Sequence, residues 1–115
     1  HWAVGAALLC SDGTVYRGCN IENAAYTPSN CAERTAFFKA IYDGHRDFEA
    51  IAVVGGPEGQ PAPEYCAPCG VCRQVMREFC DLDNFRIVLG KSDGKTRVYT
   101  LRQLLPESFG PENLA

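Results

Sequence analysis

Pro28-Ser29-Asn30-Cys31-Ala32-Glu33-Arg34-Thr35 and Pro68-Cys69-Gly70-Val71-Cys72-Arg73-Gln74 each read as a chain break followed by a helix start. After the first, Ala32, Ala36, Phe37, Ala40 and Ile41 recur at helical spacing until Gly44 supplies a C-terminal stop. After the second, Pro68 suits a first helical position, and Cys72, Val75, Met76, Phe79 and Cys80 form the apolar stripe. Strands flank both helices. Val4–Cys10 and Val15–Ile21 surround Ser11-Asp12-Gly13 and predict a hairpin, Ala50–Val54 a third strand, Phe85–Leu89 a fourth, and Val98–Leu101 a last one. Gly55–Pro68 is rich in Gly and Pro and reads as a loop, Leu101–Leu105 as a short helical turn, and the chain from Glu107 as a polar tail. Each strand–helix–strand passage implies a crossover, so the expected fold is α/β, a mixed sheet with helices packed on it.

With 115 residues the chain has room for one core, hence a single domain over 1–115. Apolar residues at 46% and charged ones at 22% fit a soluble globular protein. A net charge of -3 and a pI near 5.3 provide no general attraction to nucleic acid or an anionic membrane, which favours a small-molecule partner. Neither a membrane span nor a signal peptide is apparent. The seven cysteines are an odd set. Cys10, Cys19 and Cys80 lie in apolar runs, where a free cysteine behaves as a small buried hydrophobe, whereas Cys31, Cys66, Cys69 and Cys72 lie among Pro, Gly, Asn and charged residues. Metal ligation in a reducing cytoplasm explains both groups better than a disulfide framework does.

Cys69-x-x-Cys72 places two thiols about one helical turn apart, where both can face one ion, and a helix N-terminus favours their thiolate form. Alone, the pair also fits a redox motif, a structural zinc corner or chance. Cys31 adds a third thiol at another helix start, and three protein ligands leave a position open on a tetrahedral zinc. Glu33, two residues from a ligand, can then reach a water without binding metal. Asn30-x-x-Glu33 also fits a capping box, the better reading were Glu33 alone; the downstream cysteines reverse that balance.

Cys31-Ala32-Glu33 together with Pro68-Cys69-Gly70-Val71-Cys72-Arg73-Gln74 resembles the small, homotetrameric, zinc-dependent cytidine deaminase family. Ala3-Val4-Gly5-Ala6-Ala7, Gly18–Tyr26 and Leu104-Leu105-Pro106 resemble further family segments in family order. The resemblance implies a three-layer α/β/α fold with a mixed five-stranded sheet and helices on both faces. It also implies hydrolytic deamination of cytidine or 2'-deoxycytidine. By the same resemblance, Cys31, Cys69 and Cys72 hold one Zn2+ per subunit, Glu33 moves protons, and Arg34 offsets thiolate charge. Asn20 and Glu22 match ribose-binding positions, Ala32 offers backbone groups to the base, and Trp2 stands where the family has Phe. Ala24, Tyr26 and Phe109 match positions that serve a neighbouring subunit, so a homotetramer with shared sites is expected.

The resemblance also implies a leading helix, which is expected to lie upstream of the sequence beginning at His1. Gln60–Cys66 lengthens the loop before Pro68, which raises the expectation that N4-modified cytidines are also accepted. Cys66 makes a fourth thiol, enough for a closed zinc site or an iron–sulfur cluster, but the latter's usual Cys-Pro is replaced at Met76. Cys66 is therefore expected to stand off the metal. The competing functions are a non-catalytic zinc module and a deaminase of an aminoacyl-cytosine antibiotic.

Overall fold

The computed structural model describes residues 1–115. Strands β1 (Trp2–Cys10) and β2 (Val15–Cys19) form the hairpin, α1 spans Ala32–Tyr42, and β3 spans Phe48–Pro57. Helix α2 (Gly70–Phe79), β4 (Arg86–Gly90), β5 (Thr96–Thr100) and the short α3 (Leu101–Leu104) follow. The five strands form one sheet in the order β2-β1-β3-β4-β5. β3 and β4 are parallel through the α2 crossover, and the remaining neighbours are antiparallel. The mixed α/β fold expected from the sequence is thus present.

Alternation within the strands decides which face is buried. Ala6 and Leu8 of β1, Ile51 and Val53 of β3, and Ile87 and Leu89 of β4 point to one side and are buried. There they meet Ala36, Phe37 and Ala40 of α1 and Met76 of α2. Phe37 anchors this core, edge-on to Phe48 at 5.1 Å and tilted against Phe85 at 6.0 Å. Both long helices cover this side, with α3 against α2. Val54 and Val98 point from the opposite side and remain about half exposed, so residues 1–115 do not supply the helical layer expected on the second face.

Other boundaries differ for identifiable reasons. β3 runs past Val54 to Pro57 because Trp2, Ala3 and Val4 pair with Pro57, Gly56 and Gly55, extending the ladder into the supposed loop. β2 stops at Cys19, and Ile21 makes only an isolated bridge to Asn30. β5 ends at Thr100, whose hydroxyl accepts from Gln103 N while the Gln103 side chain accepts from Thr100 N. That capping box turns Leu101 into the first residue of α3. The polar tail closes with a 3₁₀ turn over Pro111–Leu114.

Gly18 sets the distance between α1 and the sheet. A Cβ there would run into the Ala32 carbonyl and lie 2.7 Å from Ala36 N, so only glycine lets the helix start rest directly on β2.

Candidate metal centre and substrate cavity

Cys31 and Cys69 are the N-caps of α1 and α2, both with extended backbone (φ -75°, ψ 156° and φ -68°, ψ 168°). Neither side chain caps its helix, so both thiols are free to turn toward each other. Cys31 Sγ lies 3.7 Å from Cys69 Sγ, and Cys69 Sγ 3.5 Å from Cys72 Sγ. Thiolates at 2.3 Å from a tetrahedral zinc stand about 3.8 Å apart, so the trio fits that ion. Three ligands leave its fourth position for water or substrate. All seven cysteines are free, and Cys66 is not among the three clustered thiols. Cys66 Sγ instead packs where Gly55 lacks a side chain; a Cβ on Gly55 would come within 2.8 Å of it.

The Cys69 thiol is drawn below its ordinary value: burial pushes it up, but hydrogen bonds from the Cys72 backbone, its neighbouring thiols and the Val71 backbone outweigh that. Cys72 is pushed well above, first by burial and then by the nearby Glu33 carboxylate. Bound zinc would favour the thiolate at both positions by placing positive charge between them. Arg34 provides a permanent charge beside the trio. Its Nη2 donates to Cys31 Sγ at 3.3 Å, while its buried Nε has no partner. The bond to Cys31 raises the guanidinium above its ordinary value against the opposing effect of burial, with Cys72 reinforcing it.

Glu33 is only 4% exposed, in the first turn of α1. Asn30 forms no capping box with it, because its amide donates to Thr35 Oγ1 at 3.1 Å and Cys31 is the cap residue. Glu33 therefore faces the cavity without a capping duty. That cavity, of about 300 Å³, is bounded by Trp2, Val4, Asn20, Glu22, Ser29, Asn30, Cys31, Ala32, Glu33, Arg34, Cys66, Ala67 and Cys69. Cys72 reaches the thiol cluster from behind and is buried.

Asn20 is held firmly in the wall. Its Oδ1 accepts from Val4 N at 2.9 Å, and its Nδ2 donates to Trp2 O at 2.9 Å and Glu22 Oε2 at 3.2 Å. The amide thus fixes the start of β1 and aims the Glu22 carboxylate. Ala24, Tyr26 and Phe109 lie outside this cavity and are exposed, Tyr26 at 85% and Phe109 at 58%. The Phe109 carbonyl accepts from Gln74 Nε2 at 2.9 Å, which ties the tail to the helix carrying Cys72. Val4, Ser29 and Ala67 join the lining without having stood out in the sequence; only the proximity of Ala67 to Cys69 hinted at its place.

Three converging thiols with an open ligand position, a buried carboxylate and an adjoining cavity define a zinc hydrolase type of centre. The chain belongs to the cytidine and deoxycytidylate deaminase zinc-binding region family, which matches residues 1–88. It is 52% identical to a cytidine deaminase of Sporosarcina psychrophila over 97% of this chain and 78% of that protein. The crystal structure of a cytidine deaminase from Burkholderia pseudomallei superposes with a TM-score of 0.84 at 48% identity, covering 95% of this chain and 83% of that one. A blasticidin-S deaminase of Bacillus cereus is 31% identical over 92% of this chain and 76% of that protein. No helix is long and apolar enough to cross a membrane.

Proposed function

We propose that this chain is a cytidine deaminase, converting cytidine or 2'-deoxycytidine and water to the uridine counterpart and ammonia in pyrimidine salvage. The observation that carries the reading is the meeting of Cys31, Cys69 and Cys72 beside the buried Glu33 at one cavity. The three cysteines would hold one Zn2+, which when bound would supply Lewis-acid activation of water near neutral pH. Arg34 offsets part of the negative charge that three thiolates bring.

Glu33 accepts a proton from the attacking water and passes it to cytosine N3, making C4 more electrophilic. The water oxygen bonds to C4. Glu33 then relays the remaining proton to the exocyclic nitrogen, the C4–N4 bond breaks, and ammonia leaves as the C4 carbonyl forms. Ala32 presents backbone groups to the base, Trp2 packs on the nucleoside, and Asn20 and Glu22 receive the ribose hydroxyls.

The charge of the cavity favours nucleosides over nucleotides. Glu22 and Glu33 line it, Glu58 lies in the adjoining recess with Trp2 and Asn20, and Arg34 is committed to the Cys31 thiol. A phosphate dianion would meet the Glu22 and Glu33 carboxylates in the cavity, where the one lining cation, Arg34, is already bonded to Cys31; His1 lines only the adjoining recess. The greater similarity to cytidine deaminases than to blasticidin-S deaminase also favours an ordinary nucleoside. Cys66 and Ala67 give the cavity a wall from the long loop, and N4-modified cytidines are the substrates that would probe it.

Ala24, Tyr26 and Phe109 serve neighbouring subunits in a homotetramer, a role consistent with their exposure away from their own cavity. Seven free thiols suit the reducing cytoplasm. The test is loss of cytidine ultraviolet absorbance with stoichiometric ammonia. Glu33→Gln should retain zinc yet lose at least about a hundredfold in kcat, the low end for a general acid–base group. Wild-type turnover in that variant, or faster turnover of deoxycytidylate than of deoxycytidine, would refute the respective assignment.

A further inference from the structure

We propose that Cys10, Asp12 and His45 form a second metal site, remote in sequence from the three-thiol centre, for a divalent ion of the zinc class. Cys10 ends β1, Asp12 sits in the hairpin turn, and His45 follows Gly44, whose φ of +96° turns the chain away from α1. One donor atom from each lies within 4.8 Å of the other two. His45 Nδ1 and Asp12 Oδ2 are 3.6 Å apart, close to the roughly 3.4 Å expected for nitrogen and oxygen on one tetrahedral zinc.

The backbone around these side chains is tightly determined. Cys10 N donates to Thr14 O at 2.8 Å, Gly13 N to Cys10 O at 3.0 Å, Ser11 N to Asp47 O at 3.0 Å, and His45 N to Ala40 O at 3.0 Å. Thr14 N donates to Asp12 Oδ1 at 2.9 Å, which orients the carboxylate and leaves Oδ2 toward His45. The Tyr16 ring packs edge-on to His45 at 5.4 Å and is itself held by its hydroxyl donating to Asp43 Oδ2 at 2.7 Å. Ligands are thus preorganised by turn bonds and ring packing, as a metal site requires.

A surface recess lined by Ser11, Asp12, Gly44, His45, Arg46 and Asp47 offers an entry path. Arg46 directs its Nη1 to the carbonyls of Ile41 and His45. A simple His45–Asp12 ion pair would account for two of the three groups; Cys10, a buried core residue, adds a thiol facing that pair from the end of β1. Sulfur, nitrogen and oxygen donors together select zinc or cobalt rather than calcium or magnesium, which take oxygen ligands. On binding, the Cys10 S–H proton passes to solvent as the sulfur–metal bond forms. The ion would join the β1–β2 turn to the segment leaving α1.

The experiment starts from protein carrying one zinc per chain and titrates Co2+, with metal content measured after removal of free ions. Wild type should take up one metal per chain more than His45→Ala, with a thiolate-to-cobalt charge-transfer absorption, while its original zinc stays bound. Asp12→Asn, which keeps an acceptor for Thr14, should weaken that uptake at least tenfold. Cys10→Ala should abolish the charge-transfer band. Added metal should raise Tm in wild type and not in His45→Ala. Equal stoichiometry in wild type and His45→Ala, or an unchanged band in Cys10→Ala, would overturn the proposal. Because Asp12 and His45 are partly exposed, their variants decide the matter even if Cys10→Ala folds poorly.

Discussion

Replacing Gly18 by Ala adds one methyl group at a residue outside the cavity lining, yet it should disable the metal centre. The new Cβ would collide with the Ala32 carbonyl and stand 2.7 Å from Ala36 N. Both obstacles are helix backbone and cannot swing aside. Restoring an ordinary 3.4 Å contact to Ala36 N alone requires α1 to lift by about 0.7 Å, the difference between those two distances. The same first turn carries Cys31 as N-cap and Glu33, whereas Cys69 and Cys72 belong to α2 and have no reason to follow. The thiol trio therefore opens and the carboxylate shifts with it. Overpacking of this kind costs about 1–3 kcal/mol of stability, and a misplacement near 1 Å costs on the order of a hundredfold in rate. The assay compares Tm, bound zinc and kcat of Gly18→Ala with wild type. A variant with wild-type zinc content and kcat would refute the claim that this contact positions the site.

Arg34→Gln should keep the fold but weaken zinc retention or turnover by about 10–100-fold, the usual cost of losing a partner of a metal ligand; chelator-challenge and kcat measurements read both. Tyr65 lies under Lys91 at 5.0 Å and Arg97 at 4.3 Å, while Ser92 N donates to Ala62 O at 2.8 Å, so the long loop is fastened to the β4–β5 hairpin. Tyr65→Ala removes roughly 1–2 kcal/mol of cation–π attraction, and should loosen the Cys66–Ala67 wall, raising KM for cytidine with zinc content unchanged. Arg77 is nearly buried and bonds Ser108 Oγ and the Glu112 carboxylate, holding the tail. The hydrogen bond from Arg77 draws Glu112 below its ordinary value of 4.5, so the pair's contribution is present above that value and lost as pH falls through the depressed one. Amide dynamics of residues 108–114 by NMR should therefore rise in acid below pH 4.5 and, at neutral pH, in Glu112→Gln; a tail equally rigid in both would count against this.

How far the site could be read from sequence depended on the range of the interaction involved. Cys69 and Cys72 share a helical turn, so their spacing already placed two thiols together. For Glu33 the downstream cysteines already outweigh the capping reading, and the structure agrees: Cys31 is the N-cap and Asn30 turns to Thr35. The wall of the cavity was harder, because Cys66 and Ala67 arrive there only once the loop packs on Gly55.

Local periodicity and turn chemistry by themselves determined five strands and two long helices, and the cysteine motifs singled out three thiols suited to one zinc with a carboxylate beside them that does not bind it. Those signals depend on backbone repeat and on neighbours within one or two turns. Tertiary structure alone decided that Cys31 meets Cys69 across 38 residues, that β3 continues through Gly55–Pro57, and that Gly18 sets the height of α1. It also decided that Cys10, Asp12 and His45 converge. Each of these depends on strand register and helix-on-sheet packing, where the distance between two atoms is set by every residue buried between their elements.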